Sequence, residues 1–101
     1  MAETQTLPVI ARIVARPDTV DEVKAILVSM IEPTRQEAGC LIYELFQCET
    51  DPTDFTFVEE WTDAAALAVH AASPHIAGVQ GRLLPLLAQE PSVRTYRLIE
   101  D

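Results

Sequence analysis

The sequence predicts an α+β fold, a ferredoxin-like βαββαβ sandwich in which helices cover one face of a four-stranded antiparallel sheet. Two observations carry this prediction. Four short segments have the alternation, or the β-branched and aromatic content, of strands, and apolar residues at helical spacing follow the first and the third of them. A length of 101 residues suits one hydrophobic core and is too short for two. We therefore expect residues 1–101 to form a single domain.

A strand and a helix begin the predicted fold. Residues 7–15 are rich in Val and Ile and alternate weakly, which is typical of a strand. The residues that follow carry apolar side chains at helical spacing, and two acidic residues stand in the first turn, where they favour the helix dipole. We predict a helix from residue 20 to about residue 32 or, past a bend at Pro33, to residue 36.

Two further strands are predicted to pair through a short polar turn. Residues 40–49 alternate, and both of their faces carry apolar side chains, so we expect both faces to be covered. Residues 50–54 have the composition of a turn. Residues 55–61 form the third predicted strand, with Glu59 and Trp61 on the same face.

Two short helices and a strand complete the predicted order. Thr62 is expected to cap a helix over residues 63–72, and Ser73 with Pro74 begins another, because proline suits the first helical position. Residues 92–99 form the last predicted strand. The helices suffice for only one face of the sheet, and a monomer would leave a large apolar patch on the other. We therefore expect a homodimer in which two sheets pack face to face.

The charge balance excludes several classes of partner. The chain has 16 acidic and 7 basic side chains, a formal net charge of -9, and Lys24 as its only lysine. Such a surface is unsuited to the phosphates of nucleic acid, and no apolar stretch reaches the roughly 18 residues of a membrane span. The N-terminal residues lack the basic segment of a signal peptide. We expect a cytoplasmic protein with no nucleic-acid and no membrane partner.

His70 and His75 are the only histidines and the first candidates for proton transfer. His70 shares a helix face with Ala66 and Leu67, so it points inward if Leu67 packs on the sheet. Two interpretations stay open, a core histidine hydrogen-bonded to a neighbour and a base in a ligand pocket. His75 stands in the first turn of the next predicted helix, where the dipole favours a neutral ring.

No metal site is predicted from the sequence. A catalytic zinc needs three convergent protein ligands, and the two histidines, separated by a segment that contains Pro74, do not share a helix face. The chain has no asparagine and no C-x-x-C, H-E-x-x-H, G-x-G-x-x-G or phosphate-binding-loop motif. None of its serines stands in a G-x-S-x-G motif, which argues against a hydrolase triad.

Aromatic and charged residues of the strands are candidates for a ligand pocket. Trp61 and Tyr43 carry polar atoms that need partners when buried, which favours a pocket beside them, whereas Phe57 also fits a core position. For Glu59 a structural interpretation places it beside an arginine such as Arg12 or at the sheet edge. The alternative interpretation is a catalytic role. The sequence alone leaves both interpretations of Glu59 open.

Three motifs between Pro33 and His75 are specific in combination: R-x-E-x-G-C-x-x-Y, F-x-E-x-W and W-x8-H-x4-H. The segments that contain them, PTRQEAGCLIYELFQ and DPTDFTFVEEWTDAAALAVHAASPH, resemble the antibiotic biosynthesis monooxygenase family, in particular its bacterial quinol monooxygenase-like members. The resemblance covers nearly the whole chain. It implies a dimeric α+β barrel built from the sheets of two protomers, with a pocket between sheet and helices in each protomer.

The resemblance also implies an activity. We expect a cofactor-independent monooxygenase that oxidises a small phenolic, quinol or polycyclic aromatic compound with O2, without metal or flavin. Haem-degrading and anthrone-oxidising relatives use an asparagine that this chain lacks, so their residue sets are not transferred. Two other classes stay open, an isomerase or lyase on the same scaffold and a small-ligand-binding dimer without turnover.

Candidate roles follow from this expectation, because the protein's task in such a reaction is to form and stabilise a phenolate. His70 is the predicted base, His75 an orienting hydrogen-bond donor, and Trp61 the wall against which the substrate ring lies. Arg12 is expected near the developing oxyanion, where a cation stabilises it. The remaining substrate-binding candidates are Tyr43, Phe57 and Glu59.

Overall fold

The computed structural model describes residues 5–99, and their helices pack against one face of an antiparallel sheet. The elements in chain order are β1 (Leu7–Val14), α1 (Val20–Ser29), α2 (Ile31–Arg35), β2 (Cys40–Gln47), β3 (Asp54–Trp61), α3 (Ala64–Ala71), α4 (Pro74–Leu83), a 3₁₀ turn (Leu84–Leu86) and β4 (Ser92–Thr95). The strand order is β2-β3-β1-β4. This arrangement confirms the predicted α+β, ferredoxin-like fold. None of the helices described is long and apolar enough to span a membrane.

The register of the sheet decides which side chains face the helices. The central strands β1 and β3 pair along their whole lengths, β4 pairs with the free edge of β1, and β2 with that of β3. Tyr43 lies opposite Glu59, and Leu45 lies opposite Phe57. Because side chains alternate along a strand, these residues share one face with Trp61. The covered face therefore holds most of the candidate site residues.

The hydrophobic core lies between this face and the helices. Its largest fully buried side chains include Trp61, Phe55 and Phe57 of β3 and Leu27 of α1. Helix α4 adds a stripe of buried residues, of which Leu83 is 6% exposed. Each such side chain stabilises the fold by about 1.5–3 kcal/mol relative to leaving it in water. The core thus anchors the elements that frame the site.

The predicted first helix is two helices in the structure. Helix α1 ends at Ser29, α2 begins at Ile31, and the Met30 amide donates to the Leu27 carbonyl in a tightened last turn. The bend therefore lies at Met30, whereas the sequence predicts it at Pro33. Pro33 stands in the first turn of α2, where the missing N–H of proline would have no intrahelical partner and costs nothing.

Two predicted strands are longer than the observed ones. β2 ends at Gln47 rather than residue 49, and β4 ends at Thr95 rather than residue 99. The register places Thr95 opposite Val9, so only the first two residues of β1 extend beyond that pair. The Tyr96 amide still donates to the Pro8 carbonyl at 2.8 Å. Sequence alternation alone does not reveal this end of β4.

The face of the sheet turned away from the helices is partly apolar. Ile42 and Phe46 of β2 are 39% and 52% exposed, and both alternate with residues that face the core. Val58 and Ile10 continue this face at intermediate exposure. The observed surface agrees with the expectation that the helices cover only one side of the sheet.

Candidate functional site

A cavity of about 360 Å³ lies between the sheet and helices α1, α3 and α4. This volume falls in the range of pockets that hold small organic molecules. Its walls are mostly aliphatic and aromatic, and none of the lining residues within 5–99 is Arg or Lys. The side chains that bring polar atoms to it are Tyr43, Glu59, His70 and Gln80. The cavity therefore suits a neutral, largely apolar ligand with few hydrogen-bonding groups.

His70 is the imidazole that lines this cavity. It stands in the last turn of α3 and is 8% exposed. Its Nδ1 lies 2.9 Å from Glu37 Oε2, so the ring carries its proton on Nδ1 and donates it to the carboxylate. This tautomer leaves the Nε2 lone pair free to accept a proton. The predicted inward orientation of His70 is confirmed, and its hydrogen-bond partner is now identified.

Glu37 was not among the residues that sequence reasoning selected. It lies in the loop between α2 and β2, and its side chain is 14% exposed. Its Oε2 lies 2.9 Å from His70 Nδ1 and 3.0 Å from His75 Nε2. The signal was available, because Glu37 is the glutamate of the R-x-E-x-G-C-x-x-Y motif. A carboxylate in this position orients the His70 ring.

His75 lies beside Glu37 and does not line the cavity. It stands in the first turn of α4, and its Nε2 also lies 3.2 Å from Thr34 Oγ1. The turn between α3 and α4 brings its ring centroid to 6.0 Å from that of His70. The two histidines thus converge although they lie on different helices. Helix faces alone do not predict this shared cluster, because it depends on the turn between α3 and α4.

Trp61 and Glu59 form a buried pair on β3. Trp61 is fully buried, its Nε1–H donates to Glu59 Oε1 at 2.9 Å, and its ring lies 4.6 Å from that of His70. Glu59 lines the cavity, whereas Trp61 lies behind it. Trp61, predicted as the wall against a substrate, thus contacts the cavity-lining Glu59 and His70 and is not itself a lining residue.

The environment of Glu59 changes its acidity. Burial raises the pKa of Glu59 to about 7, the hydrogen bond from Trp61 partly opposes this change, and the negative charge of Glu37 adds to it. One interpretation of the sequence pairs Glu59 with Arg12. The structure does not show this pair, because Arg12 bonds to Asp54. A carboxyl group that titrates near neutral pH in a cavity can act as an acid or as a base.

Tyr43 and Phe57 form an aromatic wall of the cavity. Their rings stack with centroids 4.5 Å apart and planes 23° from parallel. Burial, together with the nearby charge of Glu59, raises the pKa of Tyr43, so its phenol stays neutral. The guanidinium of Arg35 donates to the Tyr43 carbonyl at 2.8 Å and 3.1 Å, which ties α2 to β2. Arg35, the arginine of the R-x-E-x-G-C-x-x-Y motif, therefore has a structural role.

Arg12 lies on the opposite face of the sheet from the cavity. It alternates with Ala11 and Ile13, which line the cavity, and its own side chain is 49% exposed. Its Nη2 and Nε lie 3.0 Å and 3.1 Å from the two carboxylate oxygens of Asp54. The predicted place of Arg12 beside a substrate oxyanion was therefore wrong, because strand alternation turns its side chain away.

A protein-family model described as antibiotic biosynthesis monooxygenase matches residues 6–82. The chain belongs to this family. It is 34% identical over 98 residues to a protein of Mycobacterium tuberculosis named "Putative monooxygenase Rv0793", which covers 97% of this chain and 96% of that protein. It is also 33% identical over 92 residues to sll1783 of Synechocystis, where the match covers 91% of this chain and 63% of the relative's length.

Solved structures similar to this chain have the same fold. The structure of Rv0793 has a TM-score of 0.89 and 30% identity and covers 96% of this chain and 98% of its own. A crystal structure described as antibiotic biosynthesis monooxygenase has a TM-score of 0.88 at 35% identity, with coverages of 93% and 99%. PA3566 of Pseudomonas aeruginosa has a TM-score of 0.86 at 33% identity, with coverages of 97% and 100%. These likenesses confirm the resemblance read from the motifs.

Two titratable side chains, His70 and Glu59, line one cavity of this antibiotic biosynthesis monooxygenase family member. His70 is held by Glu37 on one side and packed against Trp61 on the other. Glu59 is held by the same tryptophan. An acid and a base fixed to the walls of an apolar cavity can move protons on a bound ligand while water is excluded.

Proposed function

We propose that this chain is a monooxygenase that oxidises a small phenol or quinol with O2 and without a metal or organic cofactor. The observation that carries the proposal is the Glu37–His70 pair, whose imidazole lines an otherwise apolar cavity. Membership of the antibiotic biosynthesis monooxygenase family supports the same reaction class. The absence of Arg and Lys among the described lining residues favours a neutral substrate over an anionic one.

The first step is removal of the phenolic proton. A phenolate gives an electron to O2 far more readily than a neutral phenol does. Transfer from a phenol of pKa about 10 to a free imidazole of pKa about 6.5 is uphill by roughly 5 kcal/mol. His70 accepts the proton at Nε2, and the negative Glu37 at its Nδ1 stabilises the resulting imidazolium. The apolar surroundings strengthen that attraction and lower the cost of the transfer.

The oxygen chemistry then needs only substrate and O2. The phenolate transfers one electron to O2, and the phenoxyl radical and superoxide combine at an ortho or para ring carbon that bears hydrogen to form a C–O bond. His70 returns its proton to the peroxide, the C–H at that carbon gives up its hydrogen as a proton, and the O–O bond breaks. One oxygen atom stays as a new carbonyl and the other leaves as water, so a phenol and O2 yield a quinone and H2O, and a quinol and O2 yield a hydroxyquinone and H2O. The carboxyl group of Glu59 protonates the leaving oxygen and recovers its proton from the substrate carbon.

The active form is proposed to be a homodimer. Ile42 and Phe46 stand half-exposed on the uncovered face of the sheet, and packing two such faces together removes both patches from water. The family resemblance implies the same sheet-to-sheet barrel. A single sedimenting species at the mass of two chains supports this assembly, and a monomer at micromolar concentration overturns it.

An isomerase that moves a proton is the second candidate function. The specific observation in its favour is that burial raises the pKa of Glu59 to about 7 in the cavity that His70 lines. Two such groups can remove a proton from one atom of a ligand and return one to another atom without O2. The two functions differ in oxygen consumption.

Oxygen uptake tests the proposed function directly. The tag-free protein is mixed with a panel of mono- and polycyclic quinols and phenols in an oxygen electrode cell, and the rate without protein is subtracted. The proposal expects saturable uptake of one O2 per quinone formed for at least one compound, unaffected by EDTA. Substrate rearrangement with no oxygen uptake favours the isomerase, and ligand retention without turnover, seen by native mass spectrometry, contradicts both.

A further inference from the structure

We propose that Glu37, His70 and His75 form a binding site for one divalent transition-metal ion, with Zn²⁺ as the best-fitting ion. One ring nitrogen of His70, one of His75 and a carboxylate oxygen of Glu37 all lie within 4.8 Å of one another. Two imidazoles and one carboxylate are a ligand set found in zinc proteins. The site lies behind the cavity wall, because only His70 of the three lines the cavity.

The distances in the cluster are close to those that a zinc ion needs. Zinc binds imidazole nitrogen and carboxylate oxygen at about 2.0–2.2 Å, so neighbouring ligand atoms in a tetrahedral site lie roughly 3.4 Å apart. Glu37 Oε2 lies 2.9 Å from His70 Nδ1 and 3.0 Å from His75 Nε2. An outward shift of about half an ångström at each contact makes room for the ion.

A second observation points to a cation at Glu37. Its other carboxylate oxygen, Oε1, is buried and has no hydrogen-bond partner among residues 5–99. A buried carboxylate oxygen without a partner is costly, because it has lost its hydration. A metal ion on the carboxylate balances its charge and reduces that penalty.

A second cavity reaches one member of the cluster, Glu37. It has a volume of about 300 Å³ and is lined by Glu37, Gly39, Thr62 and Ala66, among others. It shares no lining residue with the cavity proposed to hold substrate. A metal ion can therefore enter, and a water molecule can complete its coordination, without crossing the substrate cavity. Gly39 packs closely against α3 at this cavity, since a Cβ there would overlap the Ala66 side chain.

The nature of the ligands selects the ion. Nitrogen donors favour Zn²⁺, Co²⁺ and Ni²⁺, whereas Ca²⁺ and Mg²⁺ prefer sites made of oxygen atoms alone. Each neutral imidazole must present a lone pair to the metal, so His70 moves its proton from Nδ1 to Nε2 and His75 carries its proton on Nδ1. No net proton is released from two neutral rings.

Metal binding therefore has a consequence for the cavity, and this consequence rests on the proposed function. With the metal on Nδ1, His70 Nε2 carries the proton and becomes a hydrogen-bond donor. It then has no lone pair with which to accept a phenolic proton. Zn²⁺ is expected to inhibit quinol oxidation by occupying this cluster, in competition with the Nδ1 proton.

Binding is tested without substrate, on tag-free, EDTA-treated and desalted full-length protein. Co²⁺ is added while the visible absorption bands of a low-coordinate Co²⁺ site are followed, and Zn²⁺ is then added as a competitor. The proposal expects one Co²⁺ per chain, displaced by Zn²⁺ and not by Mg²⁺. In Glu37→Gln and His75→Ala the affinity falls by at least about tenfold, because one of three protein ligands is removed. The matched control Glu49→Gln, at an exposed glutamate, binds as the original chain does.

Imidazole nitrogen chemical shifts of the unmodified chain provide a measurement that does not depend on the folding of any variant. Added Zn²⁺ is expected to move the signals of His70 Nδ1 and His75 Nε2 into the range of metal-bound nitrogen. No saturable Co²⁺ band, equal affinity in Glu37→Gln, or unchanged nitrogen shifts would each overturn the metal site. If Zn²⁺ binds as proposed while no quinol is oxidised, the site stands and the proposed function fails.

Discussion

Glu37 Oε2 lies 2.9 Å from His70 Nδ1, a contact between a loop and a helix that are 33 positions apart in the chain. The loop is held on one side by Arg35, which donates to the Tyr43 carbonyl, and the helix packs over Trp61. The pair therefore depends on the sheet beneath it for its geometry. The predictions below test whether this pair and its neighbours act in the proposed way.

Glu37→Gln keeps the shape of the side chain and removes its charge. The variant can no longer stabilise a protonated His70, so we expect kcat for quinol oxidation to fall on the order of 10²-fold. KM should change little, because Glu37 does not line the cavity. Steady-state oxygen uptake measures both constants, with Glu49→Gln as the control. An increase in KM with kcat unchanged would show that Glu37 acts on substrate binding and would contradict its role as a positioning residue.

Glu59→Gln is expected to change how stability depends on pH. In the native chain the pKa of Glu59 is raised to about 7 from 4.5, so the unfolded state loses its proton first as the pH rises. Stability therefore falls between about pH 4.5 and pH 7 and is then level with respect to this group. The groups that act on Glu59 are the Trp61 N–H and the charge of Glu37.

The glutamine variant lacks this penalty and keeps an acceptor for Trp61. Relative to the original chain, its free energy of unfolding should rise by about 2–3 kcal/mol between pH 5 and pH 8. Urea denaturation at the two pH values measures the difference. An equal effect of the substitution at both values would mean that Glu59 titrates in the folded chain as it does in the unfolded one.

Trp61→Phe removes the hydrogen bond to Glu59 Oε1 and keeps an aromatic ring. That bond lowers the pKa of Glu59 and partly opposes the effect of burial, so its loss should move the pKa above about 7. Carboxyl carbon NMR over a pH series reports the shift, and Glu59→Gln identifies the signal. A downward shift would indicate that water enters beside Glu59 when the indole is removed.

Phe46→Glu is expected to dissociate the proposed dimer. Phe46 is 52% exposed on the uncovered sheet face, so a charge there leaves the core intact and would be buried between two sheets in the dimer. Analytical ultracentrifugation should show one chain per particle, with the circular dichroism of the original chain. Val28→Glu, at a 50% exposed position on α1, is the control and should stay dimeric. A dimer in Phe46→Glu would place the interface elsewhere.

The fold was predictable from the sequence because local patterns carry most of it. Alternation in β1 to β3 and the proline that begins α4 identify the elements, and their order leaves few topologies. The ends of β2 and β4 were not predictable, since alternation in the sequence does not mark where a strand ends. The bend at Met30 likewise depends on tertiary packing, whereas the sequence pointed to Pro33.

The candidate site was predictable in part, again because local periodicity in the sequence predicts which way a side chain points. Tyr43, Phe57, Glu59 and His70 line the cavity, as strand and helix periodicity indicated. Alternation also places Arg12 on the other face of the sheet from Ala11, so its assignment to the pocket contradicted the pattern itself. Glu37 lies in a loop, where no periodicity predicts the direction of a side chain.

The most direct test of the proposed reaction is the rate of oxygen uptake by His70→Ala on a quinol that the original chain oxidises. After subtraction of autoxidation, the rate should fall by about 10²–10⁴-fold, the usual contribution of a general base. Added imidazole should restore part of it, since a small base can occupy the space that the side chain leaves. A rate equal to that of the original chain, in a variant that still folds and binds the quinol, would contradict the central claim.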